Sequence, residues 1–143
     1  MKEPKQPESP FLPNEICEDW VGPPDSVSKI RPIRQHIPTN ETALEKILRE
    51  KQASVLAWNH LYWKKHNKAF KQERRRFVEL RTRPGAEAVT DDQMADFYRE
   101  FMERNREKHR RYNLQWYGHN FRLLGLAGLV APLRLLRAVR LLR

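Results

Sequence analysis

The sequence holds one cysteine, Cys17, so no intramolecular disulfide can form and a small secreted fold stapled by cystines is excluded. A reducing compartment such as the cytosol, nucleus or an organelle matrix fits that usage. Proline is nearly missing beyond residue 38. Eight of the ten prolines (Pro4, Pro7, Pro10, Pro13, Pro23, Pro24, Pro32, Pro38) precede that point, leaving only Pro84 and Pro132 to interrupt the rest. Long apolar runs are missing as well. The uncharged run Leu123 to Leu133 has eleven residues, short of the roughly 20 that span a bilayer. No secretory signal is present, and the polar N-terminus carries Glu3 and Glu8, which a mitochondrial presequence would avoid, so no import leader is expected within it.

Acids are scarce at the C-terminal end, where Glu107 stands alone among residues 104–143 against ten Arg or Lys. The whole chain of 143 residues carries 28 Lys plus Arg, 18 Asp plus Glu and a net charge of +10. Such a field attracts anions, whether nucleic acid, an anionic bilayer surface or an acidic protein patch. With 39% hydrophobic and 32% charged residues, apolar surface must form narrow stripes on polar elements, which favours helices over sheets in one domain or less.

Proline density predicts disorder over residues 1–14 and an extended arm over residues 15–41, packing through Ile16, Trp20, Ile30, Ile33 and Ile37. Thr42-Ala-Leu-Glu45 has the capping-box spacing and predicts a helix over 42–82, about 60 Å long. Two apolar rows at seven-residue steps, Leu48, Val55, Tyr62, Ala69 and Leu56, Trp63, Phe70, Phe77, make one broad stripe that requires a partner helix. After Pro84-Gly85, Thr90-Asp-Asp-Gln93 repeats the capping pattern and starts a second helix over 91–122. Its apolar face reads Met94, Phe97, Phe101, Tyr112, Trp116 and Phe121, widened by Tyr98, Met102 and Tyr117. The expected fold is all-α: a long antiparallel helical hairpin (42–122), an extended Pro-rich N-terminal arm and an amphipathic basic C-terminal tail (123–143).

Trp20-Val-Gly22-Pro23-Pro24-Asp25 sets an aromatic beside a rigid turn, a form suited to docking a partner, although packing on its own helices is the plainer reading. Trp58, Trp63, Phe97, Tyr98, Phe101, Tyr112, Trp116 and Tyr117 are further docking candidates with the same plainer reading, a hairpin core. Arg104 to Arg122 interleaves cations with aromatics as an RNA-binding segment would, but rings at helical spacing more often pack inward. In the tail, Leu123, Leu124, Leu126, Leu129 and Leu133 with Arg134, Arg137, Arg140 and Arg143 suit a helix lying on an anionic membrane surface; closure of the hairpin is the competing reading. Cys17 has no second cysteine, and the five histidines show no HxxxH pair, so no metal or cofactor is expected. No Gly-rich loop, nucleophile elbow or local acid–base constellation points to an enzyme.

The arm segment Cys17-Glu-Asp-Trp20-Val-Gly22-Pro23-Pro24-Asp25, then Arg31-Pro32 and Ile37-Pro38, resembles the signature arm of the cytochrome c oxidase assembly factor 8 family, also called apoptogenic protein 1. Met94-Ala-Asp-Phe-Tyr-Arg-Glu-Phe101, Lys108-His109, Tyr112-Asn113, Trp116-Tyr117 and Asn120-Phe121 extend the resemblance, with Trp58-Asn59 and Trp63 in place. It covers Cys17 to Phe121 in order. The resemblance implies a mitochondrial, non-catalytic factor at the matrix face of the inner membrane that supports cytochrome c oxidase (respiratory complex IV), with links to oxidative stress and apoptosis. Its implied partners are oxidase assembly intermediates or other assembly factors. The Leu/Arg tail is more apolar than the family pattern. A basic RNA-binding or mitoribosome adaptor is the alternative from charge, and nucleic acid is the less favoured partner.

Overall fold

The computed structural model describes residues 18–82 and 88–141. The expected disorder over 1–14, Ile16, Cys17, the Pro84-Gly85 break and Arg143 lie outside the described residues. Four elements follow in order: β1 (Trp20–Val21), β2 (Ile33–Arg34), α1 (Ala43–Arg81) and α2 (Asp91–Leu141). The two helices pack antiparallel as a hairpin, and the small sheet belongs to the arm.

Both helix starts use the capping chemistry their sequences spell. Thr42 Oγ1 accepts the Glu45 amide at 3.3 Å and Glu45 Oε2 accepts the Thr42 amide at 2.9 Å. Thr90 and Gln93 exchange the equivalent pair at 3.2 and 3.3 Å. Each reciprocal pair satisfies two of the donors a helix start leaves open. α1 then has no Pro or Gly in its 39 residues. α2 continues through Gly125, Gly128 and Pro132 for 51 residues, about 76 Å at 1.5 Å per residue. The change of composition at Leu123 carries no break in the helix.

The core is a seam. Leu48 and Val55 of α1 and Phe97, Phe101, Tyr112 and Val130 of α2 are its buried hydrophobic side chains, with Phe101 and Val130 almost fully enclosed. Interhelical partners advance along one helix as they recede along the other: Phe77 with Phe97, Phe70 with Phe101, Trp58 with His119, Glu45 with Arg134.

The arm folds back on itself and lies along α1. β1 and β2 pair antiparallel with Trp20 opposite Arg34 and Val21 opposite Ile33. Asp25 closes the turn between them: its Oδ1 accepts the amides of Val27 and Ser28 at 3.0 and 2.6 Å, and Lys29 takes φ 63°. The Ser28 amide bond is the main reason the Asp25 carboxyl sits below its usual range. Side-chain hydrogen bonds fasten the arm to α1. Gln35 Nε2 donates to Gln52 Oε1 at 2.6 Å, Ser28 Oγ lies 3.0 Å from His60 Nδ1, and Asn67 Nδ2 donates to the Val27 carbonyl at 2.8 Å. Just before α1, Glu41 receives a two-pronged bond from Arg49 at 2.7 and 2.9 Å.

Gly22 is buried where the arm is tightest. A β-carbon there would lie 2.7 Å from Trp20 Cζ3 and 2.8 Å from Pro32 Cγ, inside any van der Waals contact. Gly22→Ala should therefore loosen the arm at a cost of about 1–3 kcal/mol. Hydrogen exchange checks it: the Gly22 and Asp25 amides should lose protection while the amides of mid-α1 keep theirs.

Candidate functional site

Three surfaces could carry function: the ring stack between the helices, the clamp at the open end of the hairpin and the outward face of α2. In the ring stack, Tyr112 lies between Trp58 (4.9 Å) and Tyr62 (4.0 Å), both near parallel to it. Its hydroxyl accepts Trp63 Nε1–H at 2.9 Å and donates to Asn59 Oδ1 at 3.1 Å. Tyr62 meets His109 Nδ1 at 3.0 Å. His66 packs on Phe101 and His109 at 5.4 and 4.5 Å, and Phe70, Phe77, Phe97 and Phe101 continue the stack toward the helix connection.

Burial pushes the Tyr62 hydroxyl up, helped by Tyr112. Burial first, then His109 and Lys108, pushes His66 down, which favours its neutral form. These rings fill space, and hydrogen bonds join Trp63 to Tyr112, Tyr112 to Asn59 and Tyr62 to His109, while the buried Nδ1 of His119 has no hydrogen-bond partner among the described residues. Among the described residues no group of three or more His, Cys, Asp or Glu is placed to hold a metal ion. The chemistry of the stack is that of a polar-edged core.

At the other end, Glu45 is buried, with 5% of its surface exposed. Its Oε2 accepts the Thr42 amide and hydroxyl at 2.9 and 2.8 Å and Arg137 at 2.8 Å; its Oε1 accepts Arg134 at 3.2 Å. Arg137 first, then the Thr42 amide and hydroxyl, hold the Glu45 carboxyl down at about 2. One side chain thus caps α1 and ties it to α2 from 89 and 92 residues away.

The outward face of α2 is the third surface. Leu114, Tyr117, Phe121, Leu124, Leu135 and Val139 are all exposed, and at 100° per residue they share the side turned away from α1. Gly128 and Ala131 fall on the same strip. Arg122, Arg134, Arg137 and Arg140 project to the flanks or toward α1, so no charge interrupts the strip from residue 114 onward.

The structure distributes the candidate residues as follows. Phe97, Phe101 and Tyr112 are core; Trp58 and Trp63 are half-buried against them; Tyr98, Trp116 and Tyr117 are exposed on α2. Trp20 is half-buried over Gly22, with Pro23 and Pro24 exposed and Asp25 half-buried in its turn. Leu124, Leu129 and Leu133 are exposed, Leu123 and Leu126 half-buried. Arg134 and Arg137 are engaged with Glu45, and Arg140 is exposed. Sequence reasoning missed the second role of Glu45. Its only trace is the three-residue spacing of Arg134 and Arg137, which puts both on one helix face.

Comparison with known proteins follows the same span. A family model described as cytochrome c oxidase assembly factor 8 matches residues 18–135. The Mus musculus protein named cytochrome c oxidase assembly factor 8 is 40% identical over 138 residues, spanning 90% of this chain and 72% of the relative. Its Homo sapiens namesake is 39% identical over 129 residues, 83% of this chain and 63% of the relative. A Drosophila melanogaster COA8 family protein, named as mitochondrial, is 42% identical over 124 residues, 87% of this chain and 70% of the relative. No solved structure matches.

Two measurements probe the site. The folded Glu45 carboxyl, at about 2, binds its proton more weakly than in the unfolded chain, where 4.5 applies. The stability this carboxylate contributes is therefore complete above about pH 4.5 and is lost as pH drops toward 2. Glu45→Gln should cost about 3 kcal/mol at neutral pH and flatten that acid slope, read by denaturant titrations at stepped pH. Tyr112→Phe strands the Trp63 N–H and the Asn59 oxygen and should cost about 1–3 kcal/mol, with a changed tryptophan emission spectrum.

Proposed function

The chain belongs to the cytochrome c oxidase assembly factor 8 family, and from that premise we propose that it is a non-catalytic scaffold for assembly or stability of the oxidase, held at the matrix face of the mitochondrial inner membrane. Family membership implies involvement in cytochrome c oxidase assembly. The finer reading takes in a tie to the oxidative stress response and apoptosis. The observation that carries the membrane part is the uninterrupted apolar strip on the outward face of α2.

An exposed strip of that length does nothing for the isolated hairpin, because its side chains point away from α1. No helix of the described residues is long and apolar enough to cross a membrane, so the strip acts from the surface, buried to the depth of its side chains. Arg122 and Arg140 on its flank supply the cations that anionic headgroups attract. Arg134 and Arg137 contribute indirectly, by fixing the rotation of α2 through Glu45.

The scaffold part is supported by two long outer faces of different chemistry, the apolar strip of α2 and the back of α1, where Lys64, Lys68, Lys71 and Arg75 are exposed. The RNA-adaptor alternative is weaker. Tyr112, a ring it would use for stacking, is buried, and Arg110 and Arg111 are bonded to Glu107 at 2.8 and 3.0 Å.

Add-back to knockout cells tests the reading, with the chain fused to a mitochondrial presequence to ensure delivery and assembled oxidase scored on native gels. The unsubstituted chain should restore the oxidase. Leu124→Glu with Leu135→Glu should restore less, and should bind phosphatidylcholine/phosphatidylglycerol vesicles at least about tenfold more weakly, since each leucine contributes about 1.5–3 kcal/mol when buried. An unchanged oxidase level after knockout defeats the assignment.

A further inference from the structure

The apolar strip leaves the opposite side of the hairpin unexplained. On the back of α1, Lys64, Lys68, Lys71 and Arg75 are all exposed and recur at four-, three- and four-residue steps, so they form one row turned away from α2. Together with Val27 of the arm and Gln72 they line a groove of about 430 Å³. We propose that this groove docks an acidic helical segment of a partner protein, which deepens the scaffold reading by naming the chemistry of what is held.

Charge complementarity is the main argument. Residues 64–76 carry seven cations and one acid, Glu73. That acid is already bonded to Arg104 across the hairpin at 2.7 Å. Asp25 lies within electrostatic reach of Lys64, its Oδ1 accepting the amides of Val27 and Ser28, and is a single negative charge against a row of four cations. Within the row, Lys64 and Lys68, and likewise Lys71 and Arg75, are like charges four residues apart and repel one another. A partner with carboxylates at the same spacing relieves that repulsion along the whole row. From residue 64 to 75 the row spans about 16 Å, three turns of an opposing helix.

Two other polyanions fit less well. A bilayer lying flat on the α2 strip cannot also touch the back of α1. Nucleic acid gains from exposed rings on which bases stack, and the groove has none: Tyr62, Phe70 and Phe77 are engaged in ring contacts within the hairpin. Val27 instead offers the apolar contact that a helix with a leucine between its acids would use.

The test uses the full chain and a labelled, helix-forming peptide with Glu at positions i, i+4, i+7 and i+11 and Leu between them, read by fluorescence anisotropy. A scrambled peptide of the same composition and a single-stranded RNA of equal charge are the comparisons. The ordered peptide should bind at least tenfold more tightly than either. Lys68→Glu with Lys71→Glu should lose tenfold or more, and a peptide with the facing Glu pair changed to Lys should regain that affinity. Val27→Ser, which alters no charge, should weaken binding severalfold. Equal binding of the scrambled peptide reduces the row to diffuse charge and overturns the proposal, as does tighter binding of RNA or indifference to the charge reversal. None of these readouts involves the oxidase, so failure here and failure of the assembly reading on native gels are separable.

Discussion

The buried carboxylate of Glu45 is the constraint on which the hairpin's geometry depends. A charge enclosed to 5% exposure is tolerated only with near-complete hydrogen bonding, and Thr42, Arg134 and Arg137 provide it. Because those partners sit on both helices, the cap of α1 and the rotation of α2 become one problem with one solution. Turning α2 by a single residue would carry Arg134 and Arg137 off Glu45 and bring part of the outward strip round to the seam. The clamp therefore determines which face of α2 is left open.

The ring stack complements the clamp. Apolar contacts between helices are permissive about register, whereas the bonds from Trp63 to Tyr112, Tyr112 to Asn59 and Tyr62 to His109 are not. Register is thus held by polar atoms at the edges of rings whose faces supply the burial. The arm adds a third layer on one side of α1 only. That leaves the back of α1 cationic and the back of α2 apolar, two surfaces of different chemistry on opposite sides of a slab two helices thick.

Much of this was legible locally. Both capping boxes are spelled within four residues, the seven-residue apolar rows demanded a partner helix, and the second helix start after Pro84-Gly85 supplies it as an antiparallel neighbour. The docking of the arm was less legible. Proline density predicts extension, but the pairing of β1 with β2 and the contacts of Ser28 with His60 and Asn67 with Val27 join residues with no shared periodicity. Likewise, the shift to Leu and Arg at Leu123 is visible as composition, yet α2 passes through it, Pro132 included, because α1 remains alongside and burial of Val130 in the seam offsets the bond the proline removes. The salt link to Glu45 was invisible for a simpler reason: residues about 90 positions apart leave no local signature.

That separation bears on how the molecule comes into being. Glu45 leaves a ribosome well before Arg134 and Arg137, so the helix start it caps has to wait for them. Until Arg134 arrives, the carboxylate that begins α1 lacks its partners on α2 and has those of Thr42. A chain cut short near residue 131 would keep every ring of the stack and lose both arginines. The Glu45 clamp thus makes the start of α1 answer to residues synthesised some 90 positions later.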